Sequence, residues 1–418
     1  MKPPTLKIAV WHNLPSGGGK RALFHHVKGL VERGHTVESW CPPTADQTYL
    51  PLGDLIKESI VPLAETQPKA GRIANLLSPY QTMVDKIQAM DIHCQQCAEE
   101  INKGDFDVLF ANACTFFRTT SIARYVNIPK FLYLQEPYRW LYEALPKLPW
   151  LALPPFDKPW WTSRSYSLAF LRNQIEVQGF RVQAREELLN AEAFDLILVN
   201  SLFSRESVQR AYGIDSKVCY LGVDAELFKP LNLPRQKSVV GLGSIYIGKG
   251  LERAVNAVAT IEKKDRPSLV WIGNFSDLSY QNEIIKLATS MGVEFIPKVR
   301  VSDDEVVKLL NEASVMLYTP ILEPFGFAPL EANACGTPVV AIAEGGIRET
   351  IKDGINGFLI NGNEPVEMGK AISKILNNKE LADNMGKNAR SYVLEQWSWE
   401  RGIDRLEKCI LNLLCQKA

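Results

Sequence analysis

Two glutamates separated by seven residues, Glu323 and Glu331, enclose glycine, phenylalanine and proline in the stretch EPFGFAPLEANACGTPVV. The run before it, SVMLYTP, reads as a buried strand, so Glu323 falls in the loop past a strand's carboxyl end, where open α/β sheets bind ligands. Pro329 suits the first helical position, because its missing N–H would be unpaired there anyway. Gly336 suits the position just past the last turn. The pattern predicts a short helix with Glu331 in its first turn, Glu323 ahead of it, and the amides of Phe327, Ala328 and Leu330 between the carboxylates. Such amides hold anions. A phosphate flanked on both sides by hydroxyl-rich groups satisfies every element, and a nucleotide sugar has that shape. Taken alone, the spacing is better read as two solvated or capping glutamates around a strand, turn and short helix.

The chain that must position these groups has 418 residues, 46% hydrophobic and 22% charged, which is ordinary globular composition and longer than one core usually supports. Lys plus Arg and Asp plus Glu are both 47, so no overall field draws nucleic acid. The opening MKPPTLKIAVWHNLP is too soon broken for a signal peptide, and no apolar run reaches the roughly 18 residues of a membrane span. These features predict a cytoplasmic protein, at most peripheral on the inner face of the membrane. The eight cysteines sit mostly in apolar segments and read as core residues. Cys94 and Cys97 form a CxxC without a second pair, and no HExxH or HxH occurs, so no metal site is predicted.

LKIAVWH, HTVESWC, FDVLFAN, KFLYLQE, FDLILVN and KVCYLGV read as strands, alternating with helical segments such as KRALFHHVKGLVERG and SRESVQRAYG. After the link LGVDAELFKPLNLPRQK the alternation resumes with SVVGLGS, SLVWIGN, VEFIP, SVMLYTP, TPVVAIA and GFLI. This predicts an α/β protein of two doubly wound, Rossmann-like parallel-sheet domains, residues 1–228 and 236–395, with ligands in the cleft between them. Residues 396–418 contain EQWSWERGIDRLEKCILNLL, a helix predicted to pack back toward the N-terminal domain through Ile403, Leu406, Ile410, Leu413 and Leu414.

EPFGFAPLEANACGTPVVAIAEGGIRETIKDGINGFLI resembles the donor-binding region of the retaining glycosyltransferases of family 4, whose two facing Rossmann-like domains form the GT-B fold. The resemblance extends to NSLFSRESVQRAYGIDSKVCYLGVDAELFKP and, near the start, to LPSGGGKRALFHHVKGLVERGHTV. It implies that Glu331 binds the ribose of a nucleotide diphosphate sugar and Glu323 the transferred sugar, with Gly326 and Phe327 supplying backbone contacts. VVGLGSIYIGKGLERAV looks like the family's phosphate loop, with Lys249 on the diphosphate. The family's arginine is replaced by Ser244, leaving Arg253 and Arg300 as substitutes. Gly17, Gly18 and Gly19 inherit the loop that closes on the diphosphate from the other side; by themselves they are a flexible turn. Where many relatives carry a histidine near the reacting carbon, this chain has Asn112, which is no general base. Glu136, Tyr138 and Arg139 occupy the loop that resembles the acceptor-facing one. Ser302 with Glu305 in SDDEVV reads as a capping box rather than a cation site.

The resemblance implies metal-independent transfer without a cofactor, from a nucleotide sugar held by the second domain to a glycan, glycolipid or lipid-linked acceptor held by the first. An epimerase of the same fold and a donor-binding partner subunit with weakened catalysis are the rivals. The segment RWLYEALPKLPWLALPPFDKPWWTSRSYSLAFLRNQ interleaves tryptophans, leucines and prolines with Lys147, Lys158, Arg164 and Arg172. It suits either an anionic membrane interface or an acceptor-binding insertion.

Overall fold

The computed structural model describes residues 4–64, 72–144, 148–151 and 159–417. The chain divides into two compact units, Met1–Asn200 with Arg205–Cys219 and Ile403–Ala418, and Ser201–Ser204 with Tyr220–Gly402. In the first, β1 (Lys7–Asn13), β2 (Thr36–Cys41), β3 (Lys57–Ile60), β4 (Val108–Cys114), β5 (Lys130–Tyr133), β6 (Leu196–Val199) and β7 (Lys217–Val218) form one sheet in the order β3-β2-β1-β4-β5-β6-β7. Every neighbouring pair is parallel. A parallel sheet covered on both faces demands apolar residues on both, which is why VLFANAC is buried throughout. On one face Trp11 Nε1 donates to His93 of the helix Arg72–Lys103. On the other, His26 of the helix Gly18–Glu32 packs against Phe110 and Tyr133.

Two strand predictions change. KESI has no apolar run to announce it, yet it forms the edge strand β3 through its pairing with β2. KVCYLGV shortens to Lys217–Val218, because the chain leaves the sheet there and Val223 pairs instead with Ser398 in the second unit.

The second unit contains β8 (Gln236–Leu242), β9 (Ser268–Gly273), β10 (Phe295–Val299), β11 (Ala313–Tyr318), β12 (Val339–Ile342) and β13 (Gly357–Ile360), ordered β10-β9-β8-β11-β12-β13. All six predicted runs are present and all pair in parallel. Val239, Leu269, Trp271, Val315, Leu317, Val340 and Ile342 form its core with Leu251, Val255 and Ile372 from the covering helices.

The predicted link belongs to this unit. Arg390 donates to the carbonyls of Ala225 (3.0 Å) and Phe228 (2.8 Å), and Arg235 to that of Ala313 (2.7 Å). These bonds satisfy backbone that a free linker would leave to water. The C-terminal stretch is two helices, Lys379–Gln396 and Trp399–Lys417, broken at Trp397 and Ser398. From Ile403 onward the last one belongs to the first unit, where Ile403, Leu406, Ile410 and Leu413 are buried and Leu414 is half-buried. Ile403 lies so close to Gly29 that a Cβ there would come within 2.4 Å of it, and Arg33 pairs with Glu407 at 2.7 Å. All eight cysteines are free and all but Cys415 are buried; burial pushes the Cys94 thiol up to about 12, so it stays protonated. Among the described residues no helix is long and apolar enough to cross a membrane.

Candidate active site

The strand order of the second unit reverses between β8 and β11, so the loops leaving these neighbours diverge and open a crevice at their carboxyl ends. Lys249 follows β8 and Glu323 follows β11. They meet there: Lys249 Nζ donates to Glu323 Oε2 at 3.0 Å, with about a fifth of each side chain exposed (20% and 19%). The hydroxyl of Tyr318, the last residue of β11, lies close enough to feel the charge of the same carboxylate. Burial, and then the charge of Glu323, push that phenol well above its usual range, so it stays a neutral donor. Tyr318 was not legible as a site residue because it completes an apolar strand.

The backbone delivering Glu323 is tightly constrained. Leu322 holds φ 54°, a left-handed conformation costing a non-glycine residue about 1–3 kcal/mol. Gly345, at φ 59°, lets the loop approach so closely that a Cβ would lie 2.2 Å from the Glu323 carbonyl oxygen, and Gly346 N–H donates to that oxygen at 2.8 Å. Behind Lys249, Thr319 Oγ1 donates to the Gly250 carbonyl at 2.9 Å, joining the two loops through buried side-chain chemistry.

The helix after Glu323 is Phe327–Ala334. Its N-cap is Gly326 at φ 91°, which turns the chain into the helix two residues earlier than the proline suggested. Pro329 is therefore the third helical residue, still within the turn whose N–H groups have no helical acceptor. Glu331 accordingly lies in the second turn and is buried, 3% exposed, while Phe327, Ala328 and Leu330 contribute the amides of the first turn. Gly336, at φ 74°, ends the helix as expected: its N–H donates to Asn333 O (2.9 Å) and that of Thr337 to Ala332 O (2.8 Å), the paired bonds of a Schellman cap.

Ser244, where the resemblance expects an arginine, donates through Oγ to Asn274 Oδ1 at 2.8 Å. Arg253 is committed elsewhere, donating to the Thr319 carbonyl at 3.0 Å. Arg300 is exposed at the end of β10 and held at φ 59°. Ser302 caps the following helix by accepting from Glu305 N–H at 3.3 Å.

In the first unit, Gly17 is the N-cap of Gly18–Glu32 at φ 141°, so Gly18 and Gly19 are already helical and the loop is shorter than a three-glycine turn. Gly19 lies 3.4 Å, measured from an added Cβ, from the Gln135 side chain. Asn112 lies within β4, where the run FDVLFAN puts it, paired to Tyr133 and 2% exposed, and the strand runs on to Cys114. Glu136 accepts from Arg118 at 2.9 Å and lies 3.6 Å from Arg139, which donates to Glu143 at 2.8 Å; the Arg118 guanidinium also faces the Tyr138 ring at 5.7 Å. Sequence reasoning missed Arg118, which lies 18 residues from Glu136 with no motif connecting them. Lys147 and Lys158 lie outside the described residues.

Three adjacent strands also bring His12, Cys41 and Glu58 together, one ligand atom of each within 4.8 Å of the others. Glu58 already accepts from His12 at 2.9 Å, and the buried Lys20 supplies a positive charge beside Glu58 and Cys41. Burial draws the Lys20 ammonium and the His12 imidazolium below their usual ranges. A cluster carrying its own cation fits a buried ionic network better than a metal centre.

Residues 223–392 match the model of the family "Glycosyl transferases group 1". Over this segment the chain is similar to the group 1 glycosyltransferases. A D-inositol 3-phosphate glycosyltransferase of Geodermatophilus obscurus is 29% identical over 58% of this chain and 59% of its own. The human alpha-1,3/1,6-mannosyltransferase ALG2 is 27% identical over 53% and 59%. The chain thus spans about three fifths of the curated relatives it matches. Solved structures extend the likeness to nearly the whole chain: sucrose-phosphate synthase from Thermosynechococcus elongatus (TM-score 0.69, 18% identity, 98% of this chain and 100% of that one) and Anabaena HepE with UDP and glucose (0.66, 19%, 97% and 99%). The chain therefore has the GT-B fold, and the paired carboxylates and Lys249 lie inside the segment that matches the family.

Proposed function

We propose that this protein is a retaining glycosyltransferase of family 4 that moves a sugar from a nucleotide diphosphate sugar to a hydroxyl of a glycan, glycolipid or lipid-linked acceptor, in cell-surface polysaccharide or glycolipid biosynthesis. The Lys249–Glu323 pair, 3.0 Å apart at the switch point of the donor sheet, carries the reading. The likeness to HepE structures holding UDP and UDP-glucose supports it, as do relatives named for glycosyl transfer.

On this reading Lys249 and the first-turn amides of Phe327–Ala334 take the diphosphate, Glu331 the ribose, and Glu323 the hydroxyls of the sugar. In the free protein Lys249 and Glu323 neutralise each other; the donor exchanges the carboxylate for phosphate as the partner of Lys249, while the Gly346 N–H bond keeps the Glu323 backbone in place. As the bond from the anomeric carbon to the phosphate oxygen breaks, negative charge grows on the diphosphate, where the lysine stabilises it most. The acceptor oxygen bonds the anomeric carbon on the same face, and its proton passes to the departing phosphate oxygen. Retention follows, with no protein base or metal ion required. Glu136, Tyr138 and Arg139 orient the acceptor, with Arg118 holding Glu136.

A donor-binding partner with little turnover is the second reading, favoured by Ser244, which places a hydroxyl bonded to Asn274 where a second cation would assist departure. Melting of the protein with UDP-, GDP- and ADP-sugars, with and without EDTA, should give a selective, chelator-insensitive stabilisation. Acceptor-dependent release of nucleoside diphosphate, with the product anomer read by NMR, tests the transfer itself. Stabilisation without release on any acceptor would replace the transferase by the binding subunit, and sugar interconversion in donor alone would make it an epimerase.

A further inference from the structure

Within the first unit, the helices Arg72–Lys103 and Arg164–Glu192 and the loop that leaves β4 enclose a cavity of about 300 Å³. That is the lower end of the size range of small-molecule sites. None of the donor or acceptor groups assigned above lines it. Val84, Ile87, Met90, Phe117 and Val182 give it apolar surface. Its charged side chains already have partners. Asp91 accepts from Tyr125 Oη at 2.9 Å, Glu186 from Arg124 at 3.1 Å and Arg185 at 2.8 Å, and Glu187 from Tyr212 at 2.7 Å and Gln183 at 3.0 Å. An ionic ligand would have to break one of these pairs, so the cavity suits a neutral molecule.

Two neutral groups lining it have no such partner. Asn190 is 7% exposed and Ser121 6%, and neither Asn190 Oδ1 nor Ser121 Oγ has a nitrogen or oxygen partner among the described residues. The Asn190 amide cannot turn to remove the defect. Its Nδ2 donates to the Thr119 carbonyl at 3.2 Å, and a flip would set oxygen against oxygen. A buried acceptor left without a donor costs about 1–3 kcal/mol, which a ligand hydroxyl would remove. Water supplies a donor too, but leaves the apolar surface wet. A ring with C–H groups on its faces and hydroxyls around its edge satisfies both.

We propose that this cavity binds one neutral sugar ring, at a site separate from the donor and acceptor groups. The cavity also backs the loop that carries Arg118: Thr119 Oγ1 donates to the Glu187 carbonyl at 2.6 Å, and Arg118 N–H to Glu187 Oε1 at 3.2 Å. A bound ring braces that loop, and with it the guanidinium that holds Glu136. The proposal rests on the cavity alone and not on the transfer reading.

The test is saturation-transfer NMR of the full chain, without nucleotide, titrated with glucose, galactose, mannose and N-acetylglucosamine. At least one should bind in the millimolar range. Asn190→Leu should weaken that binding about tenfold, the loss of one hydrogen bond. Val182→Trp fills the cavity from a half-buried position and should abolish binding, and Val84→Trp does the same from the other helix if the first variant melts early. Glu323→Gln should leave binding unchanged, which separates this cavity from the donor site. No binding of any of these sugars overturns the proposal. So does binding that is lost in Glu323→Gln, kept in a folded tryptophan variant, or indifferent to Asn190→Leu. A free sugar and the end of a longer glycan present the same ring. Tighter binding of maltotriose or chitotriose than of its monosaccharide assigns the cavity to a glycan end, and equal or weaker binding to a free sugar. None of these readings uses donor or turnover, so the result stands whether or not transfer is observed.

Discussion

In the second unit Lys249 and Glu323 lie past the carboxyl ends of β8 and β11, partly open to solvent and joined by one ion pair, with Glu331 buried in the helix that follows. In the first, whose sheet reverses direction in the same way between β1 and β4, polar groups lie inside: His12, Lys20, Asn112 and Glu187 are each 2% exposed or less. All five histidines belong to this unit. One topology thus serves two electrostatic arrangements. A strand-end loop keeps a carboxylate charged and available, whereas the interior shifts protonation and couples polar groups to stability.

The largest effect that would sharpen this contrast is Glu323→Gln, which should lower transfer by about 10²–10³-fold, on the scale of losing one group that stabilises transition-state charge, with the melting temperature nearly unchanged. Near-normal turnover in that variant would remove Glu323 from the assigned role. Gly345→Ala should act on the fold as well as the site. The new Cβ would meet the Glu323 backbone and the residue would be held at φ 59°, so denaturant titration should show a loss of about 1–3 kcal/mol together with weakened donor binding.

Acid probes the other unit. Burial, with His25 adding a smaller effect, draws His26 down to about 3 from its usual 6.5. The unfolded chain therefore binds this proton first, and stability is full above pH 6.5 and falls as pH drops toward 3, by about 1.4 kcal/mol per unit from this residue. Chemical denaturation at pH 7 and 5.5 should show the loss, and His26→Leu should flatten it; an unchanged slope would count against the buried neutral imidazole. The smallest expected change is Ser302→Ala, which removes a helix cap from the second unit and should cost about 1 kcal/mol without altering activity.

Much of the second unit was legible in the chain, because its strands are continuous apolar runs and its two paired glutamates lie in one contiguous segment with Gly326 and Gly336. The errors were local. Pro329 marked the first turn but not its first residue, since Gly326, with a left-handed φ open to glycine, had already begun the helix. The first unit was less legible. KESI became a strand only through pairing with β2, and β4 runs past FDVLFAN to Cys114 because its pairing with β1 continues there.

What the sequence determined by itself was periodicity and punctuation: alternating strands and helices, the glycine that ends Phe327–Ala334, the serine that caps a helix, and a lysine and two carboxylates set beside strand ends. Those depend on neighbours a few residues away. Tertiary structure alone decided which distant groups touch. Lys249 and Glu323, 74 residues apart, meet because parallel β8 and β11 are adjacent, and Arg118 reaches Glu136 from another loop. It also decided which apolar residues stay outside. Leu168 and Leu171 resemble core residues by type, and only the packing of the helix from Gly179 onward leaves them in solvent. Burial and proximity follow from how the sheets and helices assemble, and no local pattern in the chain encodes them.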